Sequence, residues 1–535
     1  MEHPIMGWEW IPHSSIMDAE KELSDADFPE IRLFSVPLHP SPEPLKDFCK
    51  GEWELAGPRS LADFSASAWF FAKNLYQSLN IPIGIIHSSW GGTSILAWTN
   101  QAALEDFRDS LEIGDFSEVY DPNTWKTVVQ ESIENQRQRR IQMSYPRPEI
   151  KELVLDDSYD DSQWEEVDLA KDEYEHGYVV WLRKKFRVPE DRKTDFFLSL
   201  GFLNRQSHVY INGKELGYFQ YPAPVKAKVP AGLLKPGENL ITIRLSSQWG
   251  AARFHGDEDM FFLQDSHGTF FLPLHNGWKT RSELAPILPE KPSYANHPGF
   301  LFNGMVSPVI PYGIKGFIWD QGSADIGRVN MYSRLFKRLI NDWRSFWGDD
   351  QLPFLFVQNT NTHTSHEFEK RSFGRSHLRE AQARALELPH TGMVVSVDIG
   401  DPYDVHPKNK QEFGRRLALQ ALRKVYGKDI TADGPFYQSH TVRGDTVVVS
   451  IKDNSHQFTE LKHEGDDCGF ELADEAGDFF PAKALLVGKE IYVRSGKVAR
   501  PKMLRYAWGD NPKTCVFNGS GLPLAPFYVE INEDH

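Results

Sequence analysis

Short apolar runs alternate with a longer helical pattern in the first hundred residues. Residues 31–36 (IRLFSV) and 81–87 (IPIGIIH) have the length and apolarity of buried strands, and residues 64–79 between them are predicted to form a helix. Strand–helix–strand alternation is typical of a parallel, doubly wound sheet. The pattern returns after about residue 296, where strands are predicted at residues 316–319, 352–358 and 393–399.

Two other parts of the chain have short strands and frequent turns instead. From about residue 151, the dipeptides Asn212-Gly213 and Pro236-Gly237 separate short apolar runs, which favours a β-sandwich. These runs are residues 181–188, 196–200, 208–211 and 240–245. Strand signals dominate again after about residue 431, and a second sandwich is predicted there.

The helices of the second α/β part have recognisable ends. After residue 319, apolar residues recur every four positions, and Gly348 ends the pattern. These apolar residues are Leu335, Leu339, Trp343 and Trp347. Asn409 and Glu412 form a predicted capping box for a helix at residues 411–426, which Gly427 ends.

Composition restricts the possible partners. The 535 residues are too many for one core, and the net charge of −16 argues against nucleic acid or an anionic membrane as a partner. No apolar run approaches the roughly 18 residues of a membrane span. Cys49, Cys468 and Cys515 lie far apart without a CxxC spacing, so neither a disulfide framework nor a zinc site is expected.

Residues suited to acyl-transfer chemistry follow three of the predicted strands. The turn SSWGGT after residue 87 contains Gly91 and Gly92, whose backbone N–H groups could face an oxyanion. The loop after the strand at 393–399 contains Asp404 and His406, a carboxylate and a base two residues apart, with Asp401 as a second carboxylate. Each segment could also be an ordinary turn without a catalytic function.

The third segment, WDQGSAD, follows the strand at 316–319. Gln321 in it suits a sugar or acyl oxygen, and Trp90 and Trp319 are further candidates for substrate binding, because a flat ring stacks on a pyranose face. Ligands bind at the carboxyl ends of strands in doubly wound sheets. The three segments are therefore predicted to meet around one pocket.

These motifs closely resemble the sialate O-acetylesterase family of SGNH hydrolases. The resemblance lies in IPIGIIHSSWGGTSILAWT, LFNGMVSPVIPYGIKGFIWDQG, LREAQARALELPHTGMVVSVDIGDPYDVHPKNK and LRYAWGDNPKTCVFNGSGLPLAPF, and it covers nearly the whole chain. It implies an α/β fold with a flavodoxin-like SGNH hydrolase domain at residues 1–148 and 273–430. A galactose-binding-like β-sandwich is expected to interrupt that domain at residues 149–272, and a C-terminal β-sandwich to follow at 431–535.

The resemblance also implies roles for individual residues. His406 matches the family's catalytic histidine, Asp404 the carboxylate beside it, and Gly91 and Gly92 the block that helps to bind the oxyanion. Asp325 stands where the family's oxyanion-hole asparagine is expected, although an ionised carboxylate can only accept hydrogen bonds. The family removes acetyl groups from sugars, typically sialic acids, without a metal or cofactor.

The expected nucleophile is missing from the sequence. The family's serine lies in a GQSNM-type motif, and Met1–Pro4 looks like the tail of that motif, so the serine is expected upstream of Met1 and the chain as given is predicted to be inactive. The alternatives are a non-catalytic carbohydrate-binding relative or a substitute nucleophile. The candidate substitutes are Ser14, Ser88, Ser89 and Ser323.

The expected substrate is an acetylated sugar or glycan. The family is often exported, but the compartment and the oligomeric state do not follow from this sequence. The sandwiches are expected to brace the catalytic domain or an oligomer interface rather than to bind glycans independently.

Overall fold

In the computed structural model, the apolar runs near the start of the chain form a parallel pair of strands. Strand β1 (Phe28–Ser35) pairs in parallel with β3 (Ile83–His87), with Ile31 opposite Ile83, and pairs antiparallel with β2 (Glu54–Ala56). The elements of this part are α1 (Ala19–Ser24), β1 (Phe28–Ser35), β2 (Glu54–Ala56), α2 (Pro58–Ala62), α3 (Ala66–Leu79), β3 (Ile83–His87), α4 (Ile95–Trp98) and α5 (Gln101–Leu104). The predicted strand–helix–strand unit is confirmed.

The middle of the chain forms two packed antiparallel sheets and two helices. The elements are α6 (Trp125–Ser144), α7 (Pro148–Leu155), β4 (Glu165–Val167), β5 (Val179–Val188), β6 (Phe196–Leu203), β7 (Gln206–Ile211), β8 (Lys214–Gln220), β9 (Ala223–Val229), β10 (Gly237–Ser246), β11 (Phe254–His255), β12 (Phe261–Asp265), β13 (Phe271–Pro273) and β14 (Trp278–Ser282). One sheet has the order β4-β14-β5-β10-β7-β8, and the other the order β11-β6-β12-β13, with β9 paired to β6. Leu182 and Val209 of the first sheet share one core with Leu198 and Phe261 of the second, which makes a sandwich.

A second set of parallel strands follows the sandwich. The elements are β15 (Phe317–Trp319), α8 (Val329–Trp347), β16 (Phe354–Val357), α9 (Gly374–Ala383), β17 (Thr391–Val394) and α10 (Lys410–Lys424). Strands β15, β16 and β17 pair in parallel in that order. The predicted strand at 393–399 ends earlier, at Val394, because the chain turns where the Ile399 N–H donates to the Ser396 carbonyl.

The two parallel sheets have apolar side chains on both faces. Phe356 on one face belongs to a core covered by α8, whereas Ile85 and Leu355 belong to a second core that includes side chains of α3 and α10. Burial on both faces is typical of parallel sheets. Among the described strands, β3 pairs only with β1 and β15 only with β16, so a single flavodoxin-like sheet stays a prediction.

The last part of the chain consists of antiparallel strands. Its strands are β18 (Phe436–Arg443), β19 (Thr446–Lys452), β20 (Glu460–Leu461), β21 (Gly465–Ala473), β22 (Phe479–Val487), β23 (Glu490–Arg494), β24 (Met503–Tyr506), β25 (Val516–Phe517) and β26 (Phe527–Glu530). Seven strands form one sheet, in the order β18-β19-β23-β22-β21-β24-β26, and β20 pairs with β25. Cys468 and Cys515 form a disulfide, with Cα atoms 5.1 Å apart. The expectation that the cysteines form no disulfide was wrong, because the fold brings together two residues 47 positions apart.

The contacts divide the chain into two units. The first comprises Met1–Gly7, Ser14–Trp125 and Tyr294–His535, and the second Trp8–His13 and Lys126–Ser293. The structure describes residues 3–11, 13–47, 50–107, 121, 123–171, 179–188, 194–203, 206–220, 223–247, 254–282, 287–289, 292–362, 373–402, 404–452, 460–461 and 465–531. The predicted division into four segments stays a prediction. None of the described helices has both the length and the apolarity to cross a lipid bilayer.

Candidate active site

The loop between β17 and α10 carries the predicted catalytic base. The backbone N–H of His406 donates to Asp404 Oδ1 over 2.8 Å, and the imidazole Nδ1 lies 3.4 Å from the same oxygen. The two side chains are 21% and 24% exposed, so the pair is mostly enclosed but reachable from solvent. The structure places the two residues side by side, as their spacing predicted, and their catalytic roles stay a prediction.

The protonation state of His406 suits a base. Burial lowers the pKa of His406 below its ordinary value of 6.5, and the hydrogen bond and the charge of Asp404 oppose this only in part. The imidazole is therefore uncharged at neutral pH. An uncharged imidazole can accept a proton, which is what a general base must do.

A second histidine, His3, packs against His406. The ring centroids are 6.3 Å apart with the planes nearly perpendicular, and His3 is almost fully buried. Burial holds the pKa of His3 far below its usual range, so this neighbour adds no positive charge next to His406. The sequence patterns did not identify His3, because an isolated histidine outside a helix or strand has no periodicity that would mark it.

The turn after β3 is open to solvent at its two glycines. Gly91 and Gly92 are exposed, and a Cβ built on either would meet no atom within 4 Å. This leaves room for a ligand close to the backbone. Trp90 beside them is only partly buried and packs against the core, and its carbonyl accepts from Thr93 Oγ1 over 2.7 Å. The oxyanion role of the glycines and the substrate-binding role of Trp90 stay predictions.

Direct hydrogen bonds connect this turn to the segment after β15. Gln321 Nε2 donates to the Thr93 carbonyl (3.1 Å) and to Asp325 Oδ2 (2.6 Å), while its Oε1 accepts from Tyr332 Oη (2.8 Å). Two of the three predicted segments therefore meet. Their juxtaposition with His406 stays a prediction. The amide of Gln321 is engaged by protein groups on both of its atoms.

Asp325 is a structural acceptor at the beginning of α4. It is fully buried, and it accepts from Ser94 Oγ (2.6 Å) and from the Ile95 N–H (2.8 Å), with the Arg328 guanidinium 3.2 Å away. A carboxylate at this position satisfies N–H groups that the first helical turn leaves unpaired. Both of its oxygens accept from protein donors and neither can donate when ionised, and the predicted place of Asp325 in an oxyanion hole stays a prediction.

Trp319 lies in the core. Only 8% of it is exposed, and its ring contacts those of Trp98, Trp343 and Phe354 at centroid distances of 6.3, 5.6 and 6.2 Å. A ring packed in this way has little surface left for a sugar, and the substrate-binding role of Trp319 stays a prediction. A tryptophan at the end of a strand looks the same in the sequence whether its ring faces the core or a ligand.

The candidate substitute nucleophiles differ in their partners. Ser89 Oγ lies 2.5 Å from His87 Nε2, whereas Ser88 Oγ donates to the Met305 carbonyl over 3.0 Å. Ser323 Oγ accepts from Asn359 Nδ2 over 2.8 Å. Burial lowers the pKa of His87 to about 4, so this imidazole is uncharged at neutral pH but is a weaker base than an ordinary histidine. Ser89 was a candidate from the sequence, whereas His87 was not, because its only signal was its place two residues before a serine at a strand end.

Comparison with known proteins identifies the family that these motifs resemble. Residues 298–423 match the family model described as carbohydrate esterase, sialic acid-specific acetylesterase. The sialate O-acetylesterase of Mus musculus is 22% identical over 557 residues, covering 97% of this chain and 75% of the mouse protein. The chain is similar to the sialate O-acetylesterases. The segment that matches the family model includes β15 to β17 together with Asp404 and His406.

Two further comparisons extend this likeness. The sialate O-acetylesterase of Homo sapiens is 28% identical over 267 residues, which cover 44% of this chain and 49% of the human protein. This alignment therefore spans about half the length of the human relative. A carbohydrate acetylesterase from Xanthomonas citri has a solved structure that matches with a TM-score of 0.59 and 23% identity, over 96% of this chain and 76% of the other. This last likeness shows a shared fold.

Proposed function

We propose that the protein is a carbohydrate O-acetylesterase that removes acetyl groups from sialic acids or related glycans by acyl transfer. The observation that carries the proposal is the pairing of His406 with Asp404 in the segment that matches the acetylesterase family model. In serine hydrolases the general base is an uncharged imidazole that a neighbouring carboxylate orients, and this pair has that arrangement.

In this mechanism a serine oxygen attacks the acetyl carbonyl carbon. His406 Nε2 accepts the serine proton, because Nδ1 faces Asp404. The proton then passes to the sugar oxygen as the carbon–oxygen bond breaks. Water hydrolyses the acetyl-serine in a second cycle and acetate is released. Backbone N–H groups of Gly91 or Gly92 are proposed to donate to the oxyanion.

The identity of the nucleophile divides the proposal into two forms. In the first, the serine precedes Met1 and residues 1–535 alone are inactive. In the second, Ser89 attacks and His87 takes its proton, which their separation of 2.5 Å supports. We favour the first form, because a serine hydrolase needs a carboxylate to orient its histidine, and Asp404 lies beside His406 in the segment that matches the family model.

The test compares acetate release by residues 1–535 with release by the longest open reading frame that contains them. The substrates are 9-O-acetyl-N-acetylneuraminic acid and 4-nitrophenyl acetate. We expect activity only in the longer product, and we expect His406→Ala to lower its kcat/KM about 1,000-fold or more. His377→Ala, which changes an exposed histidine on α9, serves as the control and should leave kcat/KM unchanged.

The Ser89→Ala variant separates the two forms. Loss of activity in Ser89→Ala, with turnover by residues 1–535 alone, would replace the first form with the second. If neither product releases acetate from either substrate, the esterase proposal is wrong and a non-catalytic carbohydrate-binding protein takes its place.

A further inference from the structure

The second unit contains a groove with a cavity volume of about 820 Å³. Helix α7 and the residues before it provide one part of the lining, and the β7–β8 hairpin provides another. The side chains that matter most are Tyr145, Lys151, Glu152, His208, Glu215 and Tyr218. The volume falls within the range of about 300–1,000 Å³ that is common for small-molecule sites.

Buried contacts hold the walls of the groove in place. Val154 of α7 packs in a core cluster with Trp181 and Tyr210 of the sandwich. The guanidinium of Arg183, on β5, donates to the carbonyls of Val154 and Asp156 at the end of α7. These contacts satisfy carbonyls that the last helical turn leaves unpaired. A groove with fixed walls binds a ligand with little ordering cost.

Aromatic rings form much of the lining. Tyr145 is 38% exposed, and the rings of His208 and Tyr218 lie 4.8 Å apart, with His13 6.4 Å from Tyr218. Flat rings with a polar tip stack on the apolar face of a pyranose while their hydroxyls remain hydrogen-bonded.

The groove carries more negative than positive charge. Lys151 Nζ lies 3.9 Å from Glu215 Oε2, and His208 Nδ1 lies 3.0 Å from Glu215 Oε1. Glu152 adds a second, exposed carboxylate. With one ammonium and two carboxylates the groove does not favour an anion. Carboxylates and an ammonium close together are partners for several hydroxyl groups of one uncharged ligand.

Tyr210 adds an unsatisfied group to this lining. It lines the groove, and its hydroxyl is buried without a hydrogen-bond partner among the residues that the structure describes. A buried hydroxyl without a partner is unfavourable, so a hydrogen bond between it and a ligand oxygen would tighten binding.

From this geometry we infer that the groove is a binding site for an uncharged pyranose sugar, separate from the proposed esterase chemistry. Its lining residues all belong to the second unit, whereas Asp404 and His406 belong to the first. The inference replaces the expectation that the middle sandwich only braces the protein. It does not depend on the proposed function, since binding requires neither His406 nor a nucleophile.

The test is binding of four neutral sugars to residues 1–535 carrying His406→Ala, which separates binding from turnover. Glucose, galactose, mannose and N-acetylglucosamine are titrated to about 50 mM by calorimetry and by saturation-transfer NMR. We expect at least one of them to bind with a Kd of about 0.1–10 mM, and the anionic sugar N-acetylneuraminic acid to bind more weakly than that sugar.

Two variants locate the binding site. Tyr145→Ala removes an exposed ring and should weaken binding about tenfold, and Glu152→Gln should weaken it about threefold. Phe271→Ala removes a ring that is 55% exposed in the same unit outside the groove, and it should leave the Kd unchanged. The inference is overturned if none of the four sugars binds, if N-acetylneuraminic acid binds more tightly than all four, or if Tyr145→Ala and Phe271→Ala have equal effects.

Discussion

Two opposing influences act on the imidazole of His406. Burial lowers its pKa, while the Asp404 carboxylate, 3.4 Å from Nδ1, raises it, and burial has the larger effect. A base whose pKa lies below 6.5 remains uncharged through the neutral range. The same carboxylate favours the imidazolium that forms during the reaction, so the pair can both accept and return a proton.

The pH dependence of the proposed esterase follows from this balance. Only uncharged His406 is active as a base, so kcat/KM should fall as the pH drops through a pKa that lies below 6.5. Replacing Asp404 by Asn removes the group that raises this pKa. In Asp404→Asn we therefore expect the acid limb to move to lower pH and kcat to fall at least about tenfold.

A pH–rate profile of the active product from pH 4 to 8 measures both effects. Asp401→Asn, in the same loop, is the matched control and should leave the limb in place. If the acid side of the pH–rate profile moves in Asp401→Asn and not in Asp404→Asn, Asp401 and not Asp404 is the carboxylate that raises the pKa of His406.

Asp325 shows how a residue at a predicted site can serve the fold. Its carboxylate accepts from Ser94 Oγ and from the Ile95 N–H inside the protein, where water cannot replace it. We expect Asp325→Ala to lower the free energy of unfolding by about 2–4 kcal/mol, because buried donors lose their acceptor.

Calorimetry or intrinsic fluorescence during heating measures this change. Asp325→Asn keeps one acceptor oxygen and should lose less stability, and Asp350→Ala at an exposed position should be neutral. A melting temperature of Asp325→Ala equal to that of the parent would contradict the structural role.

At the scale of elements, the helix and strand ends that the sequence predicted best are those with a glycine or an asparagine. Asn212 and Gly213 have φ angles of 48° and 77° and join β7 to β8 through a two-residue turn, as expected of an Asn-Gly hairpin. Gly348 has a φ of 66°, and its N–H donates to carbonyls of the last turn of α8. Asn409 accepts from the Glu412 N–H, which confirms half of the capping box.

The other half of the box is replaced by tertiary contacts. Glu412 accepts from Arg415 and Arg416, and Arg416 also pairs with Asp398. The Glu412 side chain therefore bonds to these arginines and not to the backbone N–H of Asn409. For Glu412, ion pairs with arginines of the same helix replace the second hydrogen bond of the capping box.

Gly348 allows a direct test of the helix end. A Cβ at Gly348 would meet no atom within 4 Å, so Gly348→Ala adds only the cost of a left-handed backbone, which is about 1 kcal/mol. We expect a lower melting temperature in Gly348→Ala. Gly496 has equal space and no left-handed φ, so Gly496→Ala should be neutral or slightly stabilising. Equal shifts in both variants would refute this explanation.

Helix α6 was missed because its buried positions are not all apolar. Val129, Ser132, Arg139 and Met143 are buried at helical spacing, but two of the four are polar. Arg139 Nη1 donates to the Leu288 carbonyl, and Ser132 Oγ donates to the Pro292 carbonyl. Hydrophobic periodicity detects a helix that buries apolar side chains, and it cannot detect one that buries polar groups against partners supplied by the fold.

At the scale of the molecule, the disulfide links Cys468 on β21 to Cys515, which directly precedes β25. It closes a loop of 47 residues between Cys468 and Cys515, and by loop entropy it should contribute about 3–4 kcal/mol. We expect Cys468→Ser to lower the melting temperature, and a reductant to lower that of the parent protein. The variant itself should not respond to the reductant.

Peptide mapping without reduction should recover the Cys468–Cys515 pair. Cys49→Ser removes the third cysteine and is the control, which should keep the parent's response to reductant. Recovery of both cysteines as free thiols would contradict the disulfide.

Many of the strands and turns, and the resemblance to an esterase family, followed from the sequence alone, because periodicity, turn residues and motifs are local properties of the chain. The direction in which side chains face did not follow from it. Trp319 lies in the core, Asp325 holds a helix end, and Cys468 meets Cys515 only because elements distant in sequence pack together. Burial and hydrogen-bond partners come from that packing, and they decide which polar residues remain available for chemistry.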